Sequence, residues 1–500
     1  MQLHLVTSRT TESAALVVPL LQADDLSDRL TEIAQRIGVS TQGLQTGFSA
    51  KAGEVQAHYH EAHGNLQTIY LLGLGSTREA YQWRQTVRGF FYDQRNSLPA
   101  RVQIDLSHET LPLDGAALVD ACASGALLAR YRINKYATVD TEVPTFQSDA
   151  LHLDIVVATK SERLQTALDT ARHAAEIQQS IMELVDAPAN KKRPRRLADW
   201  ALAAGKQYGF SVEVFDKPRL EREGFHGLLA VNRGSEDAAV FILMEYRGPR
   251  AAGPKFGLVG KGVTFDTGGL SIKPSTNMHY MKSDMGGAAA VLGTMAFAAA
   301  RQMPVHIVAA VPVTDNSVDA LSVKPSDVIG SYSGKTIEVI DTDAEGRLCL
   351  ADGLAYLVKN HQPEVLLDVA TLTGSCIRAL GYVAGGLFTQ NDELAAQLYA
   401  AGQATGERLW RLPLWDDYAD WIKSDVADVK NYSGKPLAGA TTAGKFLEHF
   451  TGEHPRWAHL DVAGMAVSDS KFSRQKSATG FGPRLLTAFM ESVLADTADA

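Results

Sequence analysis

Residues 255–302 read KFGLVGKGVTFDTGGLSIKPSTNMHYMKSDMGGAAAVLGTMAFAAARQ. The apolar run at the start predicts a buried strand, and the alanine-rich run at the end predicts a helix. Between them lies a segment of small and polar residues that carries Lys261, Asp266, Lys273 and Asp284. In open α/β sheets, ligands bind outside the carboxyl ends of the strands. These four charged side chains are therefore predicted to lie at the edge of the sheet where α/β proteins bind their ligands.

The same alternation of apolar runs and helical patterns continues on both sides of this segment. It predicts further strands at 68–74, 102–106, 153–159, 305–311, 336–340 and 364–370, and helices at 79–91, 114–131 and 348–360. Such alternation implies parallel strands joined by crossover helices. The sequence therefore indicates an α/β fold.

Chain length and one long helical pattern predict how the chain divides. Five hundred residues exceed what a single hydrophobic core usually supports. The segment 161–189 has apolar residues at helical spacing and reaches a proline near its end, which predicts a linking helix. We expect a smaller N-terminal α/β domain at 1–160 and a larger C-terminal α/β domain with a mixed central sheet at 190–500.

Composition and charge exclude several classes of protein. Hydrophobic residues make up 45% of the chain and charged residues 21%, as in a folded soluble protein. The net charge of -9 provides no general attraction for nucleic acid or an anionic membrane. Three cysteines without C-x-x-C spacing favour a reducing compartment, and no apolar run reaches the roughly 20 residues that span a bilayer. We expect a cytoplasmic protein with no membrane partner.

A second charged cluster follows the predicted strand at 336–340. The chain reads DTDAEGRL from Asp341, so acidic or basic side chains stand at Asp341, Asp343, Glu345 and Arg347. In an extended turn, alternate residues project to a common side. We expect this cluster to lie at the same edge of the sheet as the first one.

Several carboxylates in a partly dry cleft repel one another unless cations neutralise them. Ligation by oxygen favours Mg²⁺ or Mn²⁺, and Zn²⁺ also accepts carboxylates. Two such ions, roughly 3.5 to 4 Å apart, would activate a water molecule for hydrolysis. A buried lysine can bind a metal as a neutral amine or stabilise an oxyanion when charged, so Lys261 and Lys273 are candidates for these two roles. Arg347 can anchor an anion.

Each of these residues also has an ordinary structural interpretation. Asp284 stands where a helix N-cap is expected, and single surface acids and lysines are usually solvated. The glycines around them are compatible with simple turns. It is their joint occurrence among small and apolar neighbours that favours a metal site.

The segment DTDAEGRL, with GKGVTFDTGG, SIKPS and DMGGAAA before it, resembles the leucyl (cytosol) aminopeptidase family of dinuclear metallo-aminopeptidases. Further similar segments are ATLTG at 370–374, AGATTAGKFL at 438–447, WAHLDVAG at 457–464 and ATGFG at 478–482. The likeness spans about 165–490. It makes the C-terminal region the catalytic metallopeptidase domain and implies peptide substrates.

The resemblance implies a role for each candidate residue. One metal would be held by Lys261, Asp266, Asp284 and Glu345, and a more exchangeable one by Asp266, Asp343 and Glu345. The two ions would be Zn²⁺ or Mn²⁺, with Mg²⁺ or Co²⁺ as further candidates. Lys273 would polarise the peptide carbonyl, and Arg347 would anchor a bicarbonate ion that acts as the general base.

The family likeness also implies how substrate binds. The free α-amino group would bind one metal, which restricts cleavage to the N-terminal residue. The residues implied in substrate binding are Met281, Thr371, Leu372, Gly374 and Ala463. Their mostly apolar character favours a leucine-like side chain. Members of the family are typically homohexamers.

One departure and two alternatives accompany this interpretation. The family octapeptide begins with Asn, whereas this chain has Asp341, which predicts altered local charge rather than a lost metal.

Two-metal phosphoryl hydrolysis uses similar acidic clusters, but the two lysines and the lack of a G-x-x-x-x-G-K-[ST] loop count against it. A secondary DNA-binding or structural role is the other alternative, kept open by the basic run NKKRPRR at 190–196 although the acidic total argues against it.

Overall fold

The chain forms two compact units, Met1–Glu176 and Ile177–Ala500, in a computed structural model. The structure describes residues 1–10, 14–22, 25–37, 40, 44, 47–62, 65–77, 79–107, 114–133, 135–138, 143–251 and 253–498. No helix among these residues combines the length and apolarity needed to cross a lipid bilayer.

The first unit is built around one mostly parallel sheet. Its strands are β1 Gln2–Val6, β2 Ala15–Leu21, β3 Val55–Ala62, β4 Asn65–Gly75, β5 Arg101–Asp105 and β6 His152–Val156. Its helices are α1 Leu26–Ile37, α2 Ala80–Asp93, α3 Gly115–Leu128, the short 3₁₀ helix Thr145–Gln147 and the start of α4, Glu162–Asp186. The strand order is β1-β6-β5-β2-β4-β3, and β3 is antiparallel to β4. All seven residues of β2 are buried, as expected for a strand covered on both faces.

The second unit has a larger sheet and two small ones. The strands of the large sheet are β7 Ser211–Phe215, β8 Val240–Arg247, β9 Lys255–Gly260, β10 Gly262–Asp266, β11 His306–Asn316, β14 Val365–Ala370, β15 Gly385–Phe388, β16 Leu409–Arg411 and β18 Trp457–Asp461. The small sheets contain β12 Val328–Ile329, β13 Ile337–Glu338 and β17 Val429–Lys430, and β19 Val467–Ser468 with β20 Ser477–Ala478.

Helices of the second unit follow most of these strands. They are α5 Pro194–Tyr208, α6 Lys217–Glu223, α7 His226–Asn232, α8 Gly286–Ala300, α9 Gly346–His361, α10 Gly374–Leu380, α11 Asp392–Thr405, α12 Gly439–Glu448 and α13 Pro483–Ala498. Short 3₁₀ helices occupy Ala189–Lys191, Met278–Ser283 and Asp416–Ile422.

The central sheet is mixed, and its parallel middle positions the candidate residues. The order is β16-β15-β18-β14-β9-β11-β8-β7, with β10 paired to β11. Strands β18, β14, β9 and β11 run parallel, whereas β8 and β15 are antiparallel to their neighbours β11 and β18. The prediction of an α/β fold with a mixed central sheet is therefore confirmed.

Close packing of α8 against the sheet depends on glycine. A Cβ on Gly287 would lie 2.0 Å from the carbonyl oxygen of Val369 in β14. Only a residue without a side chain allows this helix to approach the strand so closely. The approach brings the residues before α8 next to the carboxyl ends of β9 and β14.

Two predicted strands differ from the structure. The strand predicted at 255–263 is interrupted at Lys261, after which the chain resumes as β10 and pairs with β11. The strand predicted at 336–340 is wrong as a central-sheet strand, because only Ile337–Glu338 pairs, and in a separate sheet. Asn431 explains the early end: its Oδ1 accepts the backbone N–H of Ile340 at 2.8 Å, so that group is not available to a neighbouring strand.

Candidate active site

The predicted metal and catalytic residues all border one cavity of about 620 Å³ in the second unit. Lys261 lies between β9 and β10, Asp266 ends β10, and Asp284 lies just before the N-cap of α8. Glu345 and Arg347 lie at the start of α9, one on each side of Gly346. The cavity therefore forms where the carboxyl ends of parallel strands meet the start of two helices, as α/β folds favour.

Lys261 lies at the buried end of this cavity. Its ammonium nitrogen is 2.8 Å from Asp284 Oδ2 and 2.8 Å from Glu345 Oε1, and it donates to the backbone oxygen of Thr371 at 2.9 Å. Only 3% of the side chain is exposed. Gly346 makes room for it, since a Cβ there would lie 2.3 Å from Lys261 Cε.

Lys273 lies at the more open side, between two other carboxylates. Its nitrogen is 2.8 Å from Asp266 Oδ2 and also contacts Asp343 Oδ1. Asp266 is fixed through its other oxygen, which accepts hydrogen bonds from Asn316 Nδ2 and the backbone N–H of Gly268, both at 2.8 Å. The side chain of Lys273 is 19% exposed, so solvent or substrate reaches it.

The DTDAEGRL segment forms a turn and not the extended arrangement predicted from alternate residues. Asp341 turns back on the chain, and its Oδ1 accepts the backbone N–H of Asp343 at 2.9 Å. The group that can share one metal contains Asp266, Asp343 and Glu345, whose carboxylate oxygens lie within 4.8 Å of one another. Asp341 borders the cavity outside that group. An asparagine would offer the same acceptor oxygen, so the departure at Asp341 adds charge without changing this turn.

Burial and like charges raise the pKa values of two acids in this cluster, Asp343 and Asp284. Burial first, then Asp266, raises the pKa of Asp343 to about 7 against the opposing effect of Lys273. Burial also raises the pKa of Asp284, with Lys261 opposing it. The pKa values of the two lysines are also raised: burial lowers each of them, but Asp284, Glu345 and Asp266 outweigh burial for Lys261, and Asp266, Glu345 and Asp343 outweigh it for Lys273.

Arg347 is a buried cation, and no carboxylate of the described residues forms an ion pair with it. Its Nη1 donates to the backbone oxygen of Asn431 at 2.6 Å, and its Nε has no hydrogen-bond partner in the described part of the chain. Only 4% of the residue is exposed. Burial lowers the pKa of Arg347 to about 10, partly offset by Glu345 and Asp341. A buried guanidinium that faces a cavity with unused donors is suited to hold an anion.

The donor set fits divalent cations. Among the described residues, the buried oxygens Asp284 Oδ2 and Glu345 Oε1 accept no hydrogen bond, and each is paired with the ammonium of Lys261 at 2.8 Å. With Lys261 as a neutral amine, both oxygens are available to a cation. Asp284 is not the helix N-cap that its position suggested: Met285 is the N-cap of α8, and Asp284 Oδ1 accepts the hydroxyl of Thr371 at 2.8 Å.

The five residues implied in substrate binding border the same cavity. They are Met281, Thr371, Leu372, Gly374 and Ala463. The structure thus brings together all twelve residues that sequence analysis selected. Neighbouring lining residues from the loop before α12, among them Tyr432 and Lys435, were not predicted.

Three buried residues that support the site were not predicted from the sequence. Asn316 holds Asp266, and Asn431 holds both the DTDAEGRL turn and Arg347. Asp461 is fully buried and accepts the hydroxyl of Thr373 at 2.7 Å and the backbone N–H groups of Leu372 and Ala463, both at 3.2 Å. Each of the three is the polar residue at or just after a strand end, a position that could have identified them.

Comparisons with known proteins agree on one family. Residues 179–487 match the model of the cytosol aminopeptidase family, catalytic domain. A probable cytosol aminopeptidase of Chlorobaculum parvum is 39% identical over 96% of this chain and 97% of its own length. One from Chlorobaculum tepidum is 41% identical over 88% and 89%. Among solved structures, the bottromycin maturation enzyme BotP in complex with Mn covers 96% of this chain and 99% of its own, with a TM-score of 0.83 and 30% identity.

Proposed function

The chain belongs to the cytosol aminopeptidase family, whose members are metal-dependent aminopeptidases, and on that premise we propose a two-metal mechanism for it. The enzyme removes the N-terminal residue of a peptide, with preference for leucine-like side chains. The observation that carries the proposal is the convergence of Asp266, Asp343 and Glu345, with oxygens within 4.8 Å, beside the pair Lys261 and Asp284.

Five residues hold the metals in this proposal. Asp266 and Glu345 would contribute to both metal sites, Lys261 and Asp284 would complete the buried site, and Asp343 would complete the more open one. Two buried oxygens, Asp284 Oδ2 and Glu345 Oε1, each lie 2.8 Å from Lys261 Nζ and support the buried site. The greater exposure of Asp343 supports exchange at the open site. When bound, two divalent cations supply an activated water and polarise the scissile carbonyl.

Two basic residues act on substrate and proton. Lys273, at the open side of the cavity and charged in the proposed reaction, donates to the developing oxyanion. Arg347 would anchor an anion, which we propose to be bicarbonate and which would supply the general base. The unpartnered Nε of Arg347 supports this role because guanidinium and carboxylate groups pair through two parallel hydrogen bonds.

Selection of the N-terminal residue follows from the same arrangement. The α-amino group binds at the metal end of the cavity, so an internal peptide bond cannot take the reactive position. Met281, Thr371, Gly374 and Ala463 line the pocket for the first side chain, and Leu372 contacts the peptide backbone. Their apolar surface favours leucine or methionine over polar side chains. Each methylene contact that a side chain fails to make with this surface costs roughly 1–3 kcal/mol.

The native cation is proposed as Zn²⁺ or Mn²⁺. Oxygen ligands accept both, and Mg²⁺ or Co²⁺ are compatible with the same donors. The Mn complex of BotP is a property of that protein, and it motivates Mn²⁺ as the first ion to test here.

Hydrolysis of leucine p-nitroanilide tests the proposal. The purified protein is stripped with chelator and reconstituted with Mn²⁺ or Zn²⁺. We expect activity to disappear on stripping and to return with metal, and Asp266→Ala to lose both metals together with activity. A protein that turns over the substrate equally well in chelator would contradict the two-metal mechanism, and one that never turns it over would contradict the function.

The two alternatives are weaker. Hydrolysis of p-nitrophenyl phosphate in the same metal-loaded preparation would favour a phosphatase. For DNA binding, most basic side chains of the run at 190–196 are already buried or paired with acids. Lys192 is fully buried, Arg193 pairs with Glu236 and Asp237, and Arg195 pairs with Asp199. We therefore propose no DNA-binding role.

A further inference from the structure

We propose that Arg378 and Lys435 form a carboxylate-binding wall of the substrate cavity, so that the enzyme favours peptides with a carboxylate close to the scissile bond. This inference rests on the proposed aminopeptidase function and names a class of substrate within it. The wall comes from two elements, α10 and the loop that precedes α12. Both residues border the cavity that contains Asp266 and Glu345.

Arg378 reaches the cavity across the first turn of α10. A Cβ on Gly374 would lie 3.4 Å from Arg378 Nη1, so the glycine leaves this face of the guanidinium uncovered. The Nη2 atom donates to Ser375 Oγ at 2.8 Å, which orients the group along the helix start. Arg378 therefore presents free donors at the wall next to Gly374.

Lys435 approaches the same wall from the neighbouring loop. The two elements are in direct contact, because a Cβ on Gly439 would lie 2.5 Å from Ser375 Oγ, the atom that receives the Arg378 hydrogen bond. The ammonium of Lys435 lies over the ring of Trp421, 4.6 Å from its centre. This contact holds the charge in place without neutralising it.

Neither cation has an acidic partner within the described part of the chain. Nearby cations do: Lys445 is 2.9 Å from Asp416, and Lys423 is 2.5 Å from Asp420. Exposed lysines and arginines are commonly solvated, and either residue alone would mean little. Two unpaired cations on one wall of a substrate cavity are a recognition feature for an anion.

The net charge of the whole cavity also favours an anionic ligand. Five acidic and five basic side chains border it, and with Lys261 neutral as a metal ligand their formal charges sum to -1. The two divalent cations of the proposed function add four positive charges. The loaded cavity then attracts an anionic group, and the unpaired wall is where its carboxylate would bind.

The carboxylate has three possible sources on a short peptide. An extended chain advances about 3.5 Å per residue, so a cavity of this size holds only the first few residues. The group is the C-terminal carboxylate of a dipeptide, an acidic side chain at the second residue, or an acidic side chain at the first. All three share the chemistry that Arg378 recognises.

Three matched substrate pairs test the inference and distinguish the sources. The pairs are Leu-Gly against Leu-Gly-amide, Leu-Asp-amide against Leu-Asn-amide, and glutamyl against glutaminyl p-nitroanilide. We expect the charged member of at least one pair to have a kcat/KM about fivefold higher at low ionic strength, because charge-assisted hydrogen bonds are strong but weakened by solvent. Arg378→Ala and Lys435→Ala should bring that ratio towards one, and Arg378→Glu should invert it.

Lys359→Ala is the matched control. Lys359 also lies over an aromatic ring, 5.2 Å from the centre of Tyr332, but at the far end of α9, about 20 Å along the helix from Arg347. Its substrate ratios should equal those of the wild type. Equal rates within all three wild-type pairs, or a preference that survives in the Arg378→Ala/Lys435→Ala double variant, would overturn the inference. Failure to hydrolyse leucine p-nitroanilide would instead refute the proposed function, and with it the inference.

Discussion

The two lysines of the site differ in burial and in partners. Lys261 is 3% exposed and contacts Asp284 and Glu345, whereas Lys273 is 19% exposed and contacts Asp266 and Asp343. A metal ligand must remain in one place, and an oxyanion donor must reach a group that arrives with the substrate. The difference in exposure supports the proposed division into ligand and catalytic group.

Replacing Lys273 by Ala should lower kcat by about 100-fold while both metals remain bound, because an oxyanion donor is lost and no ligand is. Steady-state kinetics and metal analysis of the same preparation measure the two effects. Lys273→Arg, which keeps the charge, should retain more activity than the Ala variant. Loss of one metal from Lys273→Ala would mean that Lys273 is itself a ligand or holds Asp266 in place.

At the scale of elements, two loops that line the substrate cavity are tied together by one carboxylate. Asp461, at the end of β18, accepts hydrogen bonds from Leu372 and Thr373 after β14 and from Ala463 after its own strand. Thr371, Leu372 and Ala463 border the cavity. The relative position of these loops therefore depends on Asp461.

Asp461→Asn should raise KM for leucine peptides by about tenfold and leave the metal content unchanged. The substitution removes a hydrogen-bond acceptor, which should lower the free energy of unfolding by about 1–3 kcal/mol. Asp352→Asn is the matched control. Asp352 is also fully buried and accepts the backbone N–H groups of Leu228 and Tyr332, at 2.9 and 2.8 Å, away from the cavity lining. An equal rise in KM in both variants would show that general destabilisation, and not loop position, is responsible.

A buried lysine connects the end of α4 to the 3₁₀ helix that carries Met281. The ammonium of Lys192 donates to the backbone oxygen of Val185 at 3.1 Å and to that of Lys282. Burial, and then Lys282, lowers the pKa of Lys192 to about 7. Lys192 is therefore largely neutral in the folded protein at alkaline pH.

The stability of the protein should reflect this titration. Between pH 7 and its ordinary pKa of 10.5, Lys192 binds fewer protons in the folded than in the unfolded chain, so its contribution to stability rises with pH. The free energy of unfolding of the wild type minus that of Lys192→Met should increase by up to about 5 kcal/mol across that window. Denaturant unfolding at several pH values measures it. A difference that does not change with pH would contradict the lowered pKa.

At the scale of the whole molecule, we propose that the chain assembles as the homohexamer its family resemblance implies. The second unit exposes large apolar side chains, including Trp410, Trp415 and Leu437. Exposed apolar residues of this size are common at protein interfaces.

Light scattering coupled to size-exclusion chromatography should give a molar mass six times that of the chain, in accordance with closed symmetry. A mass that stays at one chain over a wide concentration range would contradict assembly. Trp415→Asp should reduce the mass if this residue lies in an interface, whereas Lys359→Ala should leave it unchanged.

Much of the fold followed from patterns that are local in sequence. The strands β4, β5, β6, β11 and β14 and the helices α2, α3, α8 and α9 lie within a few residues of their predictions, because apolar periodicity records which face is buried. The pairing of Ile337–Glu338 in a separate sheet was not predictable, since two-residue strands carry no periodic signal.

The candidate site likewise has features that the sequence predicted and features that it did not. The charged residues that border the cavity were predictable from the sequence, because Lys261, Asp266, Lys273, Asp284 and the DTDAEGRL segment follow strands or precede helices of an α/β fold. Their contacts were visible only in the folded chain: Lys261 beside Asp284, Lys273 between Asp266 and Asp343, and Arg378 and Lys435 on the same cavity. Hydrogen bonds and ion pairs act over about 3 Å between residues far apart in sequence, and no local pattern specifies such distances.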